Sequence, residues 1–247
     1  MKLLLDIGNT SVNWAMEEGG QFTIDGAFRY DKNNFDHNLE DNLSFLQKPT
    51  HILVANVAGN KVFASLEVWV KQQWQRECWQ PSVSEKFNQL KNSYNNTQEM
   101  GIDRWLAMIA AWEKHQTTLC IVGCGTAMTI DSIDSRGHHL GGYIIPGIEL
   151  MQQALIRKTE CINVPTNKHA SIDYGQNTQA AINNGAFFAA TAMIDSAVMH
   201  LSDKSEALPK CIVFGGMAEL ISPLLKDQFE YEPNLVLCGL LIVYKAC

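Results

Sequence analysis

The sequence predicts an α/β protein built from two similar halves. Large apolar residues recur at every second position over 12–16, the period of a half-buried strand, and 62–74 has the pattern of a helix. Two distant stretches, LLLDIGNTSVNW and CIVGCGTAMTID, share the order strand, glycine turn, polar tip and strand. Strands and helices that follow one another along the chain favour an α/β fold, and the repeated stretch predicts that the fold is duplicated.

The repeated stretch also gives the predicted domain boundaries. Gly8 in the first copy corresponds to Gly125 in the second. We predict an N-terminal half over residues 1–115 and a C-terminal half over residues 116–247. Each half then carries one glycine-tipped hairpin, and we expect the two halves to form a cleft.

The individual elements follow from hydrophobic period and from turn residues. The polar run over 89–101 is predicted to be a loop, and 235–243 is too apolar for a period to assign it. Strands are predicted at 3–5, 12–16, 22–24, 51–55, 118–122, 128–133, 140–145 and 210–214, and helices at 62–74, 102–112, 177–200 and after the glycines at 147 and 216.

The composition excludes several classes of protein. The chain has 247 residues, 46% of them hydrophobic, and a net charge of −7 with no basic run. A nucleic-acid binder needs clustered lysine and arginine, so that class is excluded. No apolar run approaches the roughly 20 residues of a membrane span, and Lys2 precedes too few apolar residues for a signal peptide. We expect a cytoplasmic protein without a membrane partner.

The seven cysteines are predicted to be thiols, most of them in the core. Their number is odd, most have apolar neighbours, and no Cys-x-x-Cys pair occurs. This pattern favours a reducing compartment over disulfides or zinc. The positions are Cys78, Cys120, Cys124, Cys161, Cys211, Cys238 and Cys247.

The stretch Asp6-Ile7-Gly8-Asn9-Thr10 places polar groups directly after a buried strand. A structural hairpin turn explains these residue types. A phosphate site explains them too, because a glycine-rich tip presents backbone N–H groups to an oxyanion. Asp6 beside a phosphate would then require Mg²⁺. Because Gly125 and Thr126 form a second such tip, the pair is interpreted as an ATP clamp. Neither a P-loop nor a dinucleotide-binding motif is present.

The helix predicted from Ile102 is apolar on every side over 105–112, so we expect the protein core and a partner subunit to cover it. Asp103 in its first turn either complements the helix dipole or acts as a general base. Arg104 is either one member of a surface ion pair or an anchor for a substrate anion. The spacing alone favours the structural interpretation of both residues.

Two further features are predicted to carry no chemistry. His138 and His139 follow a glycine in a turn, and adjacent strand residues point to opposite faces, so a solvated loop is favoured over a metal site. No serine or cysteine has a sequence context typical of a nucleophile.

Motifs along nearly the whole chain resemble the type III pantothenate kinase family. They occur in the family's order. The motifs are Asp6-x-Gly-Asn-Thr, Asn92-Ser-Tyr94, Gly101-Ile-Asp-Arg-Trp105, Gly125-Thr-Ala-x-Thr-x-Asp131, Gly141-Gly-Tyr-Ile-x-Pro-Gly147, and Thr178 with Gly185.

The resemblance implies the acetate-kinase/Hsp70/actin superfamily fold, two ribonuclease-H-like halves with mixed sheets flanked by helices and ATP in the cleft between them. It implies ATP-dependent phosphorylation of pantothenate to 4′-phosphopantothenate, the first step of coenzyme A biosynthesis. Mg-ATP, a monovalent cation (K⁺ or NH₄⁺) and a homodimer are implied with it. The alternatives are a catalytically decayed pantothenate-kinase-like protein with a binding or regulatory role, and another small-molecule kinase of the superfamily.

The resemblance also implies roles for individual residues. Asp103 matches the catalytic base. The residues that match ATP-binding positions are Asp6, Ile7, Gly8, Asn9, Thr10, Ser11, Val12, Asn13, Gly125 and Thr126. The residues that match positions lining the pantothenate site are Tyr94, Gly101, Ile102, Asp103, Arg104 and Thr178, and no protein metal ligand is assigned.

Two positions depart from the family pattern. Asn13 stands where the family usually has lysine, and Gly123 stands where it usually has the aspartate associated with a monovalent cation. Relative to the family pattern, this chain therefore lacks one positively charged and one negatively charged side chain. The departure predicts weak dependence on K⁺ or NH₄⁺.

Overall fold

The computed structural model describes residues 1–156, 169–205, 208–226 and 228–247. Cys161 lies outside them. The chain forms two compact units, and each is composed of more than one segment. The boundary between 115 and 116 stays a prediction. The first unit is Met1–Ser84, Asn95–Ala110 and Asn234–Cys247, and the second is Glu85–Tyr94 and Ala111–Pro233.

The first unit is organised by a five-stranded sheet with the order β3-β2-β1-β4-β5. The central strand β1 pairs antiparallel with β2 and parallel with β4, and its three leucines are fully buried. Two helices, α1 and α2, follow β3 and β4 along the chain. The elements are β1 (Lys2–Ile7), β2 (Ser11–Glu18), β3 (Gln21–Arg29), α1 (Phe35–Leu43), β4 (His51–Asn56), α2 (Asn60–Trp74) and β5 (Cys78–Trp79).

A short two-stranded sheet, β6 (Lys86–Phe87) with β7 (Leu90–Lys91), precedes the helix α3 (Ile102–His115). The second unit then has its own sheet, with the order β10-β9-β8-β11-β12. Its elements are β8 (Leu119–Cys124), β9 (Ala127–Ile133), β10 (His139–Pro146), α4 (Ile148–Ile156), α5 (Thr178–Ser202), β11 (Lys210–Phe214), α6 (Ala218–Ile221) and β12 (Phe229–Tyr231), and α7 (Leu235–Lys245) ends the chain.

The two sheets have the same topology. In each, an antiparallel hairpin is followed by a third antiparallel strand, and two parallel strands complete the other edge. The duplication predicted from the two similar stretches is therefore confirmed, together with the mixed α/β fold class. The sequence similarity covers only the hairpin because its tips need particular residues, while the other strands need only apolar ones.

The apolar helix α3 corrects one expectation. Trp105 to Trp112 are at most 5% exposed within a single chain, so no partner subunit is needed to cover them. Part of this cover is a close backbone approach, since a Cβ added at Gly239 in α7 would lie 2.0 Å from the Leu106 carbonyl oxygen. The same approach explains why the unassigned apolar stretch of α7 is a buried helix.

The structure also contains an element that hydrophobic period did not reveal. Helix α1 is mostly polar and buries only Phe35, Leu39 and Leu43, which are four residues apart.

Among the described cysteines, Cys120, Cys124 and Cys211 are buried thiols, as expected, whereas Cys247 is exposed. No helix within the described ranges has the length and apolar character that a membrane crossing requires.

Candidate active site

The first hairpin tip lies between β1 and β2 and is closed by backbone contacts. The Gly8 N–H donates to the Ser11 carbonyl oxygen over 2.9 Å. Tyr30, just after β3, holds the tip from the side: its hydroxyl donates to the Gly8 carbonyl over 2.6 Å and its N–H to the Thr10 carbonyl over 3.2 Å. The exposed Asn9 and Thr10 are thus presented on a fixed backbone. The predicted hairpin is confirmed.

A lysine that no motif pointed to lies at this tip. The Lys32 ammonium donates to the Asn9 side-chain oxygen over 3.0 Å and to the Ala58 carbonyl over 3.4 Å. Lys32 belongs to the turn after β3, and only the pairing of β3 with β2 brings it to the tip. No sequence spacing rule connects positions 9 and 32, so sequence reasoning missed it.

Asp6 and Asn13 face each other across the hairpin. The Asn13 amide donates to the Asp6 carboxylate over 3.3 Å. Burial and, to a smaller extent, the negative charge of Asp103 raise the pKa of Asp6, the hydrogen bond from Asn13 lowers it, and the net result is a pKa of about 7. The first unit therefore brings two carboxylates, Asp6 and Asp103, close enough to repel each other.

Asp103 is set at the start of α3 by its immediate neighbours. Its Oδ1 accepts the backbone N–H of Arg104 over 2.8 Å, as expected of an acid in the first turn of a helix. A Cβ at Gly101 would lie 2.5 Å from that Oδ1, so any larger residue would displace the carboxylate. Arg104 is only 4% exposed, and its interpretation as part of a surface ion pair is therefore wrong.

The second hairpin tip lies between β8 and β9 and is closed from outside by the start of α4. The Gly125 N–H donates to the Ala127 carbonyl over 3.2 Å, and the Gly147 N–H to the Thr126 carbonyl over 2.9 Å. A Cβ at Gly147 would lie 2.2 Å from the Gly125 carbonyl oxygen. This contact explains the Pro146-Gly147 pair, because only glycine lets the two backbones approach so closely.

Gly123 lies in β8, just before this tip, with Thr129 opposite it on β9 and Phe214 opposite it on β11. An added Cβ would come within 2.8 Å of both the Phe214 ring and the Thr129 hydroxyl oxygen. The phenylalanine ring occupies the space that a side chain at position 123 would need. A carboxylate there requires Phe214 to move.

The remaining residues predicted to line the substrate site, Tyr94 and Thr178, belong to the second unit. Tyr94 lies before α3 and stacks its ring on His139, with 6.1 Å between the centroids. Thr178 begins α5 and borders an apolar cavity of about 340 Å³ between α4 and α5, lined also by Met151, Leu155 and Gly185.

His139 corrects two expectations. It is buried rather than solvated, at 3% exposure, while His138 is half-exposed and pairs with Asp134. The His139 ring lies 3.0 Å from the Ser93 hydroxyl oxygen and 3.0 Å from the Asp131 carboxylate. A serine thus does have histidine and aspartate partners. The sequence could not show this, because the three residues belong to separate segments of the chain.

The carboxylates of Asp6 and Asp103 in the first unit fit a magnesium ion that also binds a phosphate group. No group of three or more His, Cys, Asp or Glu side chains that could hold a metal occurs in the part of the chain described. Mg²⁺ keeps several water ligands and is commonly held by one or two carboxylates together with substrate phosphates. Asp6 and Asp103 would offer carboxylate oxygens to such an ion, and a cation nearby would relieve their mutual repulsion.

The chain is similar to known proteins over most of its length. The family model for type III pantothenate kinase matches residues 2–200. A type III pantothenate kinase from Nitrosococcus oceani is 36% identical over 250 residues, covering 99% of this chain and 94% of its own length.

Two solved structures show the same fold. A protein from Campylobacter jejuni described as a Baf family transcriptional activator has a TM-score of 0.61 at 23% identity, over 99% of this chain and 98% of its own. A 2-dehydro-3-deoxygalactonokinase protein from Sinorhizobium meliloti has a TM-score of 0.58 at 11% identity, over 100% and 99%. The family model and the sequence relative, both over most of the chain, show that this protein belongs to the type III pantothenate kinase family.

Proposed function

We propose that this protein transfers the γ-phosphoryl group of ATP to the hydroxyl of pantothenate, giving 4′-phosphopantothenate for coenzyme A biosynthesis. Membership of a kinase family supports the reaction class. The observation that carries the assignment is the half-buried Asp103, fixed at the start of α3 and close to Asp6. Because ATP is the donor, we place the reaction in the cytoplasm.

The two hairpin tips are assigned to the ATP phosphates. In the first unit this element is Asp6 to Asn13, and in the second it is Gly125 with Thr126. Both tips expose backbone and hydroxyl groups on a backbone that is fixed by hydrogen bonds. Phosphoryl transfer depends mainly on positioning and charge balance, which a rigid donor array supplies.

Asp6 and Asp103 would lie beside the magnesium ion that accompanies ATP. When bound, the ion neutralises negative charge on the phosphate oxygens and on these carboxylates. Asp103 accepts the proton of the pantothenate hydroxyl during its attack on phosphorus. Gly101 keeps the space for the Asp103 carboxylate, and Ile102, Arg104, Tyr94 and Thr178 are assigned to the substrate.

Asp103→Asn is the direct test of this assignment. The amide cannot accept a proton, so we expect turnover to fall by about 10²–10⁴-fold while the fold and pantothenate binding are retained. The measurement is pantothenate-dependent ADP release, together with binding by calorimetry. Asp36→Asn, an exposed acid in the first turn of α1, is the matched control and should keep wild-type turnover.

The same assay distinguishes an active kinase from a catalytically decayed relative. The decayed relative is the second candidate because Asn13 and Gly123 depart from the family pattern. Wild-type protein that binds pantothenate but releases no ADP would support a binding or regulatory role. An Asp103→Asn variant with wild-type kcat would refute the general-base assignment alone.

Because Phe214 occupies the space beside Gly123, we expect the wild-type rate to change less than about twofold when KCl replaces choline chloride.

We assign to Lys32 the positive charge that Asn13 does not provide. Its ammonium lies at the tip of the first hairpin, 3.0 Å from Asn9. Lys32→Gln should raise the KM for ATP by about 3- to 10-fold, since an exposed cation contributes a modest, salt-screened attraction. The KM for pantothenate should stay unchanged.

Lys48→Gln, another exposed lysine of the first unit, is the control for general loss of charge. Steady-state kinetics at two salt concentrations make the measurement. Equal KM values for ATP in the wild type and in Lys32→Gln would show that the ammonium does not contact the nucleotide.

The raised pKa of Asp6 predicts how stability depends on pH. The folded protein holds the proton up to about pH 7, whereas the unfolded chain releases it near 3.8. Asp6 therefore favours the folded state fully below about pH 4, and this contribution is lost as pH rises toward 7. Relative to Asp6→Asn, the wild type should lose stability on the order of 1–4 kcal/mol across this window.

Urea unfolding at pH 4.5, 6 and 8 measures this difference. Asp103→Asn should reduce the pH dependence, because it removes the second cause of the shift. Asp36→Asn should leave it intact. Parallel stability curves for the wild type and Asp6→Asn would show that the Asp6 carboxyl titrates normally.

We propose that the protein is a homodimer that uses α5. One face of this helix is exposed in a single chain, with Phe188 and Met199 at 59% and 63% exposure and the half-exposed Asp195 at its border. Its other members are small, which allows close approach by a second helix. They are Ala181, Gly185, Ala192 and Ser196. Gly185 also lines the cavity beside Thr178, which connects this face to the assigned substrate residues.

Phe188→Glu places a charge on this face and should convert the dimer to a monomer, measured by light scattering after size exclusion. Val68→Glu, which charges an exposed apolar position on α2, is the control and should remain dimeric. A monomeric wild type with full activity would refute the homodimer. A Phe188→Glu variant that remains dimeric would show that the interface lies on another surface.

A further inference from the structure

The segment before α3 is attached to the turn between β9 and β10. The Lys91 N–H donates to the Gly137 carbonyl over 2.8 Å. Two residues later the Ser93 hydroxyl lies 3.0 Å from His139 Nδ1, and the Tyr94 ring stacks on the imidazole at an interplanar angle of 19°. Ser93 and Tyr94 thus both depend on one side chain, that of His139.

The His139 side chain is held on its other side by a buried carboxylate. Its Nε2 lies 3.0 Å from Asp131 Oδ1, and the two side chains are 0% and 3% exposed. A β-bulge follows His139, where the pairing of β10 with β9 shifts before Gly141. Bulges re-aim side chains, and here His139 is buried whereas the preceding His138 is half-exposed.

The direction of the hydrogen bonds follows from this geometry. An ionised carboxylate only accepts, so the His139 Nε2–H donates to Asp131. In the neutral imidazole Nδ1 then accepts the proton of the Ser93 hydroxyl. The buried pair orients the exposed Ser93, and the face of the same ring orients Tyr94.

We propose that Asp131 and His139 are positioning residues that fix Ser93 and Tyr94 for recognition of the phosphoryl acceptor. The proposal rests on the proposed function, in which Tyr94 lines the pantothenate site. The three residues resemble the triad of a serine hydrolase in composition, but a nucleophilic serine needs a histidine that can protonate a leaving group. The His139 side chain is 0% exposed, which shields it from a leaving group in solution.

The role predicts a selective defect in acceptor binding. Ser93→Ala removes the hydroxyl and should raise the KM for pantothenate by about 3- to 10-fold, the effect of one lost hydrogen bond. The KM for ATP and kcat should stay within twofold of the wild type. Ser93→Thr keeps a hydroxyl and should restore the KM, and Ser135→Ala, in the adjoining turn, should behave as the wild type.

His139→Phe keeps a ring beneath Tyr94 and removes both hydrogen bonds of the imidazole. It should reproduce the Ser93→Ala defect, and the double variant should be no worse, since both changes remove one interaction. If His139→Phe does not fold, the Ser93→Ala and Ser93→Thr pair still decides the outcome.

The two levels of the proposal fail in different ways. A wild type that neither phosphorylates nor binds pantothenate contradicts the proposed function, and the positioning role falls with it. An active wild type with an unchanged pantothenate KM in Ser93→Ala overturns the positioning role alone. Equal increases in the KM for pantothenate and for ATP, without rescue by Ser93→Thr, would also overturn it, because they indicate a general structural effect.

Discussion

The repulsion between Asp6 and Asp103 is the constraint on which the first unit's chemistry depends. Burial raises the pKa of Asp6 and the negative charge of Asp103 raises it as well, so a compensating positive charge nearby would favour the ionised form of Asp6. In our proposal the magnesium ion that accompanies ATP would supply that compensation. Gly101 leaves space for the Asp103 carboxylate at the start of α3, and the neighbouring Arg104 is buried.

The second unit reaches a similar hairpin by a different route. Its tip is held by the close backbone approach of Gly147 to Gly125, and the Phe214 ring occupies the space beside Gly123. The first tip is instead held by the Tyr30 hydroxyl and accompanied by the Lys32 ammonium. The duplicated topology therefore carries two unlike tips. The charged groups belong to the first, and the second offers mainly backbone and hydroxyl groups.

Because helix α3 is buried within one chain, it does not explain how two chains would associate. An all-apolar helix such as α3 attracts attention in the sequence, yet the chain covers it completely. The exposed face of α5 is less apolar in composition, with Gly185, Ala192 and Ser196 beside Phe188 and Met199. Hydrophobicity counted along the chain cannot distinguish these cases, because it does not say which elements pack together.

The sequence by itself determined the longer strands and most of the helices, the duplication, the hairpin tips and the family, but not the short strands β5, β6, β7 and β12. Each of these depends on local period or on residues that are adjacent in the chain. Only the tertiary structure decided that Lys32 meets Asn9, that Asp6 and Asp103 repel each other, and that His139 joins Ser93 to Asp131. These contacts join residues that are far apart in sequence, and strand pairing and helix packing bring them together, which no single local pattern encodes.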